Sequence, residues 1–101
     1  MAIDTTEEYE QLVERTEATL EKFRERAEEL KEELASARAA TKVQIKAMIQ
    51  RLEKKYEDGK EKLSALRRGG PDNAEEIGRL HQKIVGSLSD MKRTIDRRIM
   101  Q

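Results

Sequence analysis

Cysteine and tryptophan are missing from this 101-residue chain, proline and histidine occur once each, and only three residues are aromatic. Without cysteine there is no disulfide framework, thiolate metal site, cysteine nucleophile or haem-attachment motif. No run approaches the 18 consecutive apolar residues of a membrane span, and the acidic N-terminal stretch does not read as a signal peptide, so a cytoplasmic protein is expected. Charge of one sign is lacking too: 21 basic and 21 acidic side chains cancel to a net charge of zero. Leu, Ile, Val and Phe together number only 20, near the composition at which chains lose their fold, but disorder normally also needs a high net charge.

What is abundant is charge of both signs, 42% of the chain, on residues that favour helix. Between Ala2 and Asp58 there is neither Gly nor Pro. The Glu, Lys, Arg, Ala, Leu and Gln that fill this stretch lose little side-chain freedom in a helix. Asp4-Thr5-Thr6-Glu7-Glu8 offers an N-cap with Glu three residues on, a capping box, and its acids suit the positive end of the helix dipole. Apolar or small residues then recur at 9, 12, 16, 20, 23, 27, 30, 34, 37, 41, 45, 48, 52, 56, 59, 63 and 66. Their spacing averages about 3.56 residues, an amphipathic helix in near-heptad phase.

The stop signal is Arg67-Arg68-Gly69-Gly70-Pro71-Asp72-Asn73: cations in the last turn, glycines for a left-handed cap, then a proline. Asp72 or Asn73 is placed to cap a second helix over 74–100, with Glu75 or Glu76 completing the box. Its stripe is Ile77, Leu80, Ile84, Leu88, Met91, Ile95 and Ile99, with Gly78 and Gly86 candidate points of close helix approach. The expected fold is therefore all-α, a single helical domain over 1–101: a helix over 5–67, a loop over 68–73 and the C-terminal helix folding back as an antiparallel hairpin. The segment from Ala35 to Thr41 holds no Gly, Pro or Asn, which favours a continuous first helix. A break near 36–41 would instead give a compact three-helix bundle.

Charge divides the chain. Residues 1–35 carry 12 acids and 5 bases, residues 36–71 carry 4 acids and 10 bases, and residues 72–101 are nearly balanced. A solvated polar face is one explanation. Antiparallel packing about residue 37 is another: it sets Glu32 against Lys42, Glu28 against Lys46 and Glu14 against Lys60. The same packing pairs Leu34 with Thr41, Leu30 with Ile45, Ala27 with Met48, Phe23 with Leu52, Leu12 with Leu63 and Tyr9 with Leu66. Exposed ion pairs are weak, so they would select orientation and register more than add stability. Two chains or one folded chain satisfy this pattern equally. A lone 60-residue helix cannot bury its own stripe, which favours an antiparallel homodimer. The expected self-association interface is Tyr9, Leu12, Leu20, Phe23, Leu30, Leu34, Ala37, Ile45, Met48 and Leu52, flanked by Glu28, Glu32, Lys42 and Lys46.

Signals for chemistry are thin. His81, the sole histidine, has Ile77, Gly78, Ile84 and Val85 as helical neighbours and no ligand among them, so it reads as structural or surface. Carboxylate pairs arise by chance in so charged a chain, and Gly69-Gly70-Pro71 lacks the strand and Gly-Lys-Ser/Thr of a phosphate loop. No enzyme, cofactor or metal site is expected, and a nucleic-acid partner is disfavoured by the zero net charge. The leading expectation is a self-associating coiled-coil scaffold or adaptor with a further, unidentified protein partner. The alternative is docking on a membrane or other lipid surface through the C-terminal helix, with Lys92, Arg93, Arg97 and Arg98 contacting anionic groups.

Overall fold

The computed structural model describes residues 5–99 of the backbone, and the side-chain environments of residues 7–97. Three helices account for nearly all of it: α1 (Thr5–Leu34), α2 (Ala39–Arg67) and α3 (Ala74–Ile99), with a single 3-10 turn, Gly70–Asn73, ahead of α3. No strand occurs among the described residues. The helices run up, down and up in a bundle of 58 × 22 × 17 Å. Each helix packs against both others.

The continuous helix expected over 5–67 is not formed. It would be roughly 90 Å long at 1.5 Å per residue, and the chain instead turns back at residues 35–38. Arg38 is extended, with φ −70° and ψ 156°, and α2 begins after it without a side-chain cap. Nothing local forces the bend. What drives it is burial: folding at residue 37 lets the two halves of one stripe cover each other within the same chain, a tertiary gain that outweighs local helix propensity. Ser36 eases the break, since its amide (3.2 Å) and its hydroxyl (3.3 Å) both donate to the Glu33 carbonyl. The observed architecture is thus the three-helix alternative.

The stripe itself survives the bend. Tyr9, Thr16, Leu20, Phe23, Ala27 and Leu30 of α1 are buried, as are Ile45, Met48, Leu52, Gly59 and Leu63 of α2. Ile77, Leu80, Ile84, Met91 and Ile95 complete the core from α3, while Leu88 is half-buried against it. Val13, Thr19 and Ile49 are buried beyond the single stripe, because a helix with two neighbours needs a wider apolar sector. Thr16 and Thr19 enter the core by donating their hydroxyls to the carbonyls of Leu12 (2.8 Å) and Arg15 (2.9 Å). No buried side-chain polar atom among the described residues is left without a partner.

The close helix approach lies at a glycine other than the two expected. A Cβ on Gly59 would overlap Leu20 Cδ2, whereas one on Gly86 would meet nothing within 4 Å and one on Gly78 only Leu12 Cδ2 at 4.0 Å. Between α2 and α3, Gly70 takes φ 64°, a conformation glycine adopts without a Cβ penalty. Asn73 turns its amide back to the Leu66 carbonyl at 2.9 Å. The expected side-chain cap of the last helix by Asp72 or Asn73 is not among the hydrogen bonds of the described residues; the 3-10 turn leads into α3 instead. The expected capping box at the start of α1 involves Asp4 and the side chains of Thr5 and Thr6, which lie outside the described residues.

Candidate interaction surface

Ten apolar or small residues were expected at a self-association interface, and all ten lie in the core of the single chain. Tyr9, Leu20, Phe23, Leu30, Ile45, Met48 and Leu52 are buried, and Leu12, Leu34 and Ala37 are half-buried against them. The antiparallel arrangement of the two halves is therefore realised within one chain.

Its flank pairs differ from those expected. Glu28 pairs with Lys31 on its own helix, at 3.2 Å, and Glu32, Lys42 and Lys46 enter none of the ion pairs among the described residues. The two ion pairs that do cross from α1 to α2 are Glu17–Arg67 at 3.0 Å and Lys31–Glu53 at 3.8 Å. The second has the reverse polarity to the expected pairs, with the base on α1. Long flexible side chains on the rim take whichever partner the core packing brings near, and each such exposed pair is worth little. Near the loop the register is within a residue of the expected one: Tyr9 was set opposite Leu66, and its hydroxyl donates to the Arg67 carbonyl at 3.3 Å.

A polar groove of about 480 Å³ runs between α1 and α2, lined by Glu17, Leu20, Glu21, Tyr56, Lys60 and Leu63 among others. Glu21 accepts from Arg24 Nε at 2.7 Å on one carboxylate oxygen and from the Tyr56 hydroxyl at 3.1 Å on the other. The Arg24 hydrogen bond and then that of Tyr56 hold the Glu21 carboxyl below its ordinary value, against a smaller upward push from desolvation than the Arg24 bond exerts. Lys60 Nζ stands 5.3 Å from the Tyr56 ring centre, and the tyrosine hydroxyl raises the lysine above its usual range. These groups satisfy one another. The site is a tie between two helices, and its carboxylate is held ionised rather than poised to exchange a proton.

His81 sits half-buried between α3 and α1, its Nε2 3.2 Å from Thr19 Oγ1. The Thr19 hydroxyl also reaches the Arg15 carbonyl at 2.9 Å, and which partner donates in the Thr19–His81 contact depends on the imidazole tautomer. The histidine thereby joins two helices. No group of three His, Cys, Asp or Glu side chains among the described residues is arranged to hold a metal ion.

A second groove, about 630 Å³, runs between α1 and α3 past Lys22, Glu25, Arg26, Leu88, Met91 and Lys92. The basic residues Lys92, Arg93 and Arg97 are exposed on α3, and the side chain of Arg98 lies outside the described residues. Of the α3 stripe that a lipid surface would need, Ile77, Leu80, Ile84, Met91 and Ile95 are buried in the bundle and Leu88 is half-buried, leaving Val85, 43% exposed, as the one large exposed apolar side chain of α3 among the described residues. No described helix is long and apolar enough to cross a membrane. No family model, curated protein or solved structure matches this chain.

Proposed function

We propose that this chain is a non-enzymatic, cytoplasmic helical protein of the coiled-coil kind that self-associates and offers its charged faces to other proteins as a scaffold or adaptor. The observation that carries the reading is the sorting of charge by helix. The α1 segment has 11 acidic and 5 basic residues, α2 has 4 and 8, and α3 has 4 and 6. With the apolar stripes buried, this sign-sorted surface is what the bundle presents outward. Charge complementarity of that kind selects partners and orientation more than it adds affinity.

Light scattering after size exclusion, over a range of concentrations, tests the reading. A dimer fraction that grows with concentration is expected; an 11.7 kDa monomer persisting at high micromolar concentration would overturn it. The competing reading, α3 docked on an anionic lipid surface, requires Ile84, Met91 and Ile95, which the core already uses. Co-sedimentation of the intact chain with anionic vesicles at low salt is the result that would favour it.

A further inference from the structure

We infer that the bend at residues 35–38 is a hinge through which two copies of this chain exchange α1, each copy straightening the bend into one continuous helix. The inference rests on the self-association proposed above and specifies its route and its partner, a second copy of the chain.

Three observations carry it. First, the bend contains nothing that requires a bend. Ala35-Ser36-Ala37-Arg38 has no glycine or proline, and no non-glycine residue of the described chain has positive φ. Arg38 itself is simply extended, at φ −70° and ψ 156°. Second, the bend is thinly bonded. Its backbone turns are held by Ser36 N–H to Glu33 at 3.2 Å and Ala37 N–H to Leu34 at 3.4 Å, and α2 starts without a side-chain cap. Straightening would exchange these for the regular i to i−4 ladder. Third, the stripe crosses the bend in phase, through Leu30, Leu34, Ala37, Thr41 and Ile45. A straightened helix therefore still presents one apolar side.

The connection between α2 and α3 behaves oppositely, with Gly70 at φ 64° and Asn73 bonded to Leu66, so those two helices stay together. In the exchanged dimer, α1 of one copy packs on α2 and α3 of the other. The Leu20–Gly59 contact and the Glu21–Tyr56, Glu17–Arg67 and Thr19–His81 bonds are remade between copies. Monomer and dimer then differ only in the hinge and in the entropy of association, which makes concentration the variable that selects between them.

Ala39→Pro separates the two states. Ala39 is the first residue of α2, where proline is favoured, and Arg38 already has the extended backbone that a residue before proline prefers. In a continuous helix the same proline would remove a hydrogen bond and clash with the carbonyl of residue 35. The variant should keep the helicity and melting temperature of the monomer while dimerisation weakens at least about a hundredfold. Spin labels give an independent reading. The chain has no cysteine, so Lys31→Cys with Glu53→Cys places two labels at the 3.8 Å ion pair across the bend. Diluted into excess unlabelled protein, the dimer fraction should show an intrachain separation of about 33 Å, the length of 22 helical residues, and the monomer a much shorter one. A dimer that survives Ala39→Pro unchanged, or keeps only the short distance, would refute exchange while leaving self-association standing. A wild-type chain that never dimerises would refute both.

Discussion

The two ends of the bundle solve the same problem in different ways. At the loop end, where α2 gives way to α3, the chain is pinned. Gly70 takes a left-handed conformation, Asn73 bonds the Leu66 carbonyl, Tyr9 bonds the Arg67 carbonyl and Glu17 meets the Arg67 guanidinium. At the opposite end, where α1 gives way to α2, the turn rests on two long backbone bonds and the Ser36 hydroxyl. The first connection would remain a turn in any context, because its residues resist a helix. The second is a turn only because the stripe on either side of it can be buried that way.

The largest test of this contrast replaces Gly70 with Val. A β-branched residue at φ 64° should cost about 1–2 kcal/mol, read as a lower denaturant midpoint with unchanged slope. The matching change at the other end, Ser36→Val on an exposed site at negative φ, should stay within about 0.5 kcal/mol. Equal losses at both ends would remove the distinction. A second test concerns how tightly α1 and α2 meet toward the pinned end. Gly86→Ala, at an open position in α3, should stabilise the fold by about 1 kcal/mol through helix propensity. Gly59→Ala brings the same propensity but pushes a Cβ into Leu20, which is 2% exposed. It should fall short of Gly86→Ala by roughly 1–2 kcal/mol, the scale of overpacking a filled core. If the two variants gained equally, the close approach would carry no weight.

A smaller change would make the two ends more alike. Arg38 occupies the N-cap position of α2 with the right backbone but the wrong side chain. Arg38→Ser supplies an oxygen for the orphan amides of the first turn and should raise stability by about 0.5–1 kcal/mol. Thermal melting at low protein concentration checks it, and no gain would mean that the first turn is already satisfied in another way.

The same contrast explains what was legible in the sequence. The turn at 68–73 was plain because Gly, Pro and Asn are the residues such a turn needs. The core was plain because every described position of the 3.56-residue stripe is buried or half-buried. The bend at 35–38 was legible only as the alternative, a break near 36–41, since the stripe keeps its phase through it and only Ser36 hints at a helix end. Gly59 passed as one more small residue of the stripe, while Gly78 and Gly86 stood out on a helix where nothing presses on them. The flank pairs failed for a different reason. Glu28, Glu32, Lys42 and Lys46 have many acceptable partners, so spacing alone does not choose among them. His81 found Thr19 across 62 residues, a pairing that no local pattern signals.

The finest test probes one tie on the α1–α2 rim. Tyr56→Phe removes one of two donors to Glu21 and leaves Arg24 in place. Because Arg24 is the main cause of the lowered Glu21 pKa, the variant's carboxyl should rise toward the ordinary value of 4.5 without reaching it. A carboxyl whose folded pKa is depressed stabilises the fold above its ordinary value and loses that contribution as pH falls through the folded one. The stability difference between wild type and Tyr56→Phe should therefore be largest near neutral pH and shrink on acidification below about 4.5. Because the bond is only part-buried, it should also weaken in salt. A carboxyl titration of Glu21 by NMR, beside melts at neutral and acid pH, reads both effects. If Glu21 titrated identically in the two proteins, the tyrosine would be packing against α1 without bonding to it, and the tie at this end would reduce to Arg67, Glu17 and Tyr9.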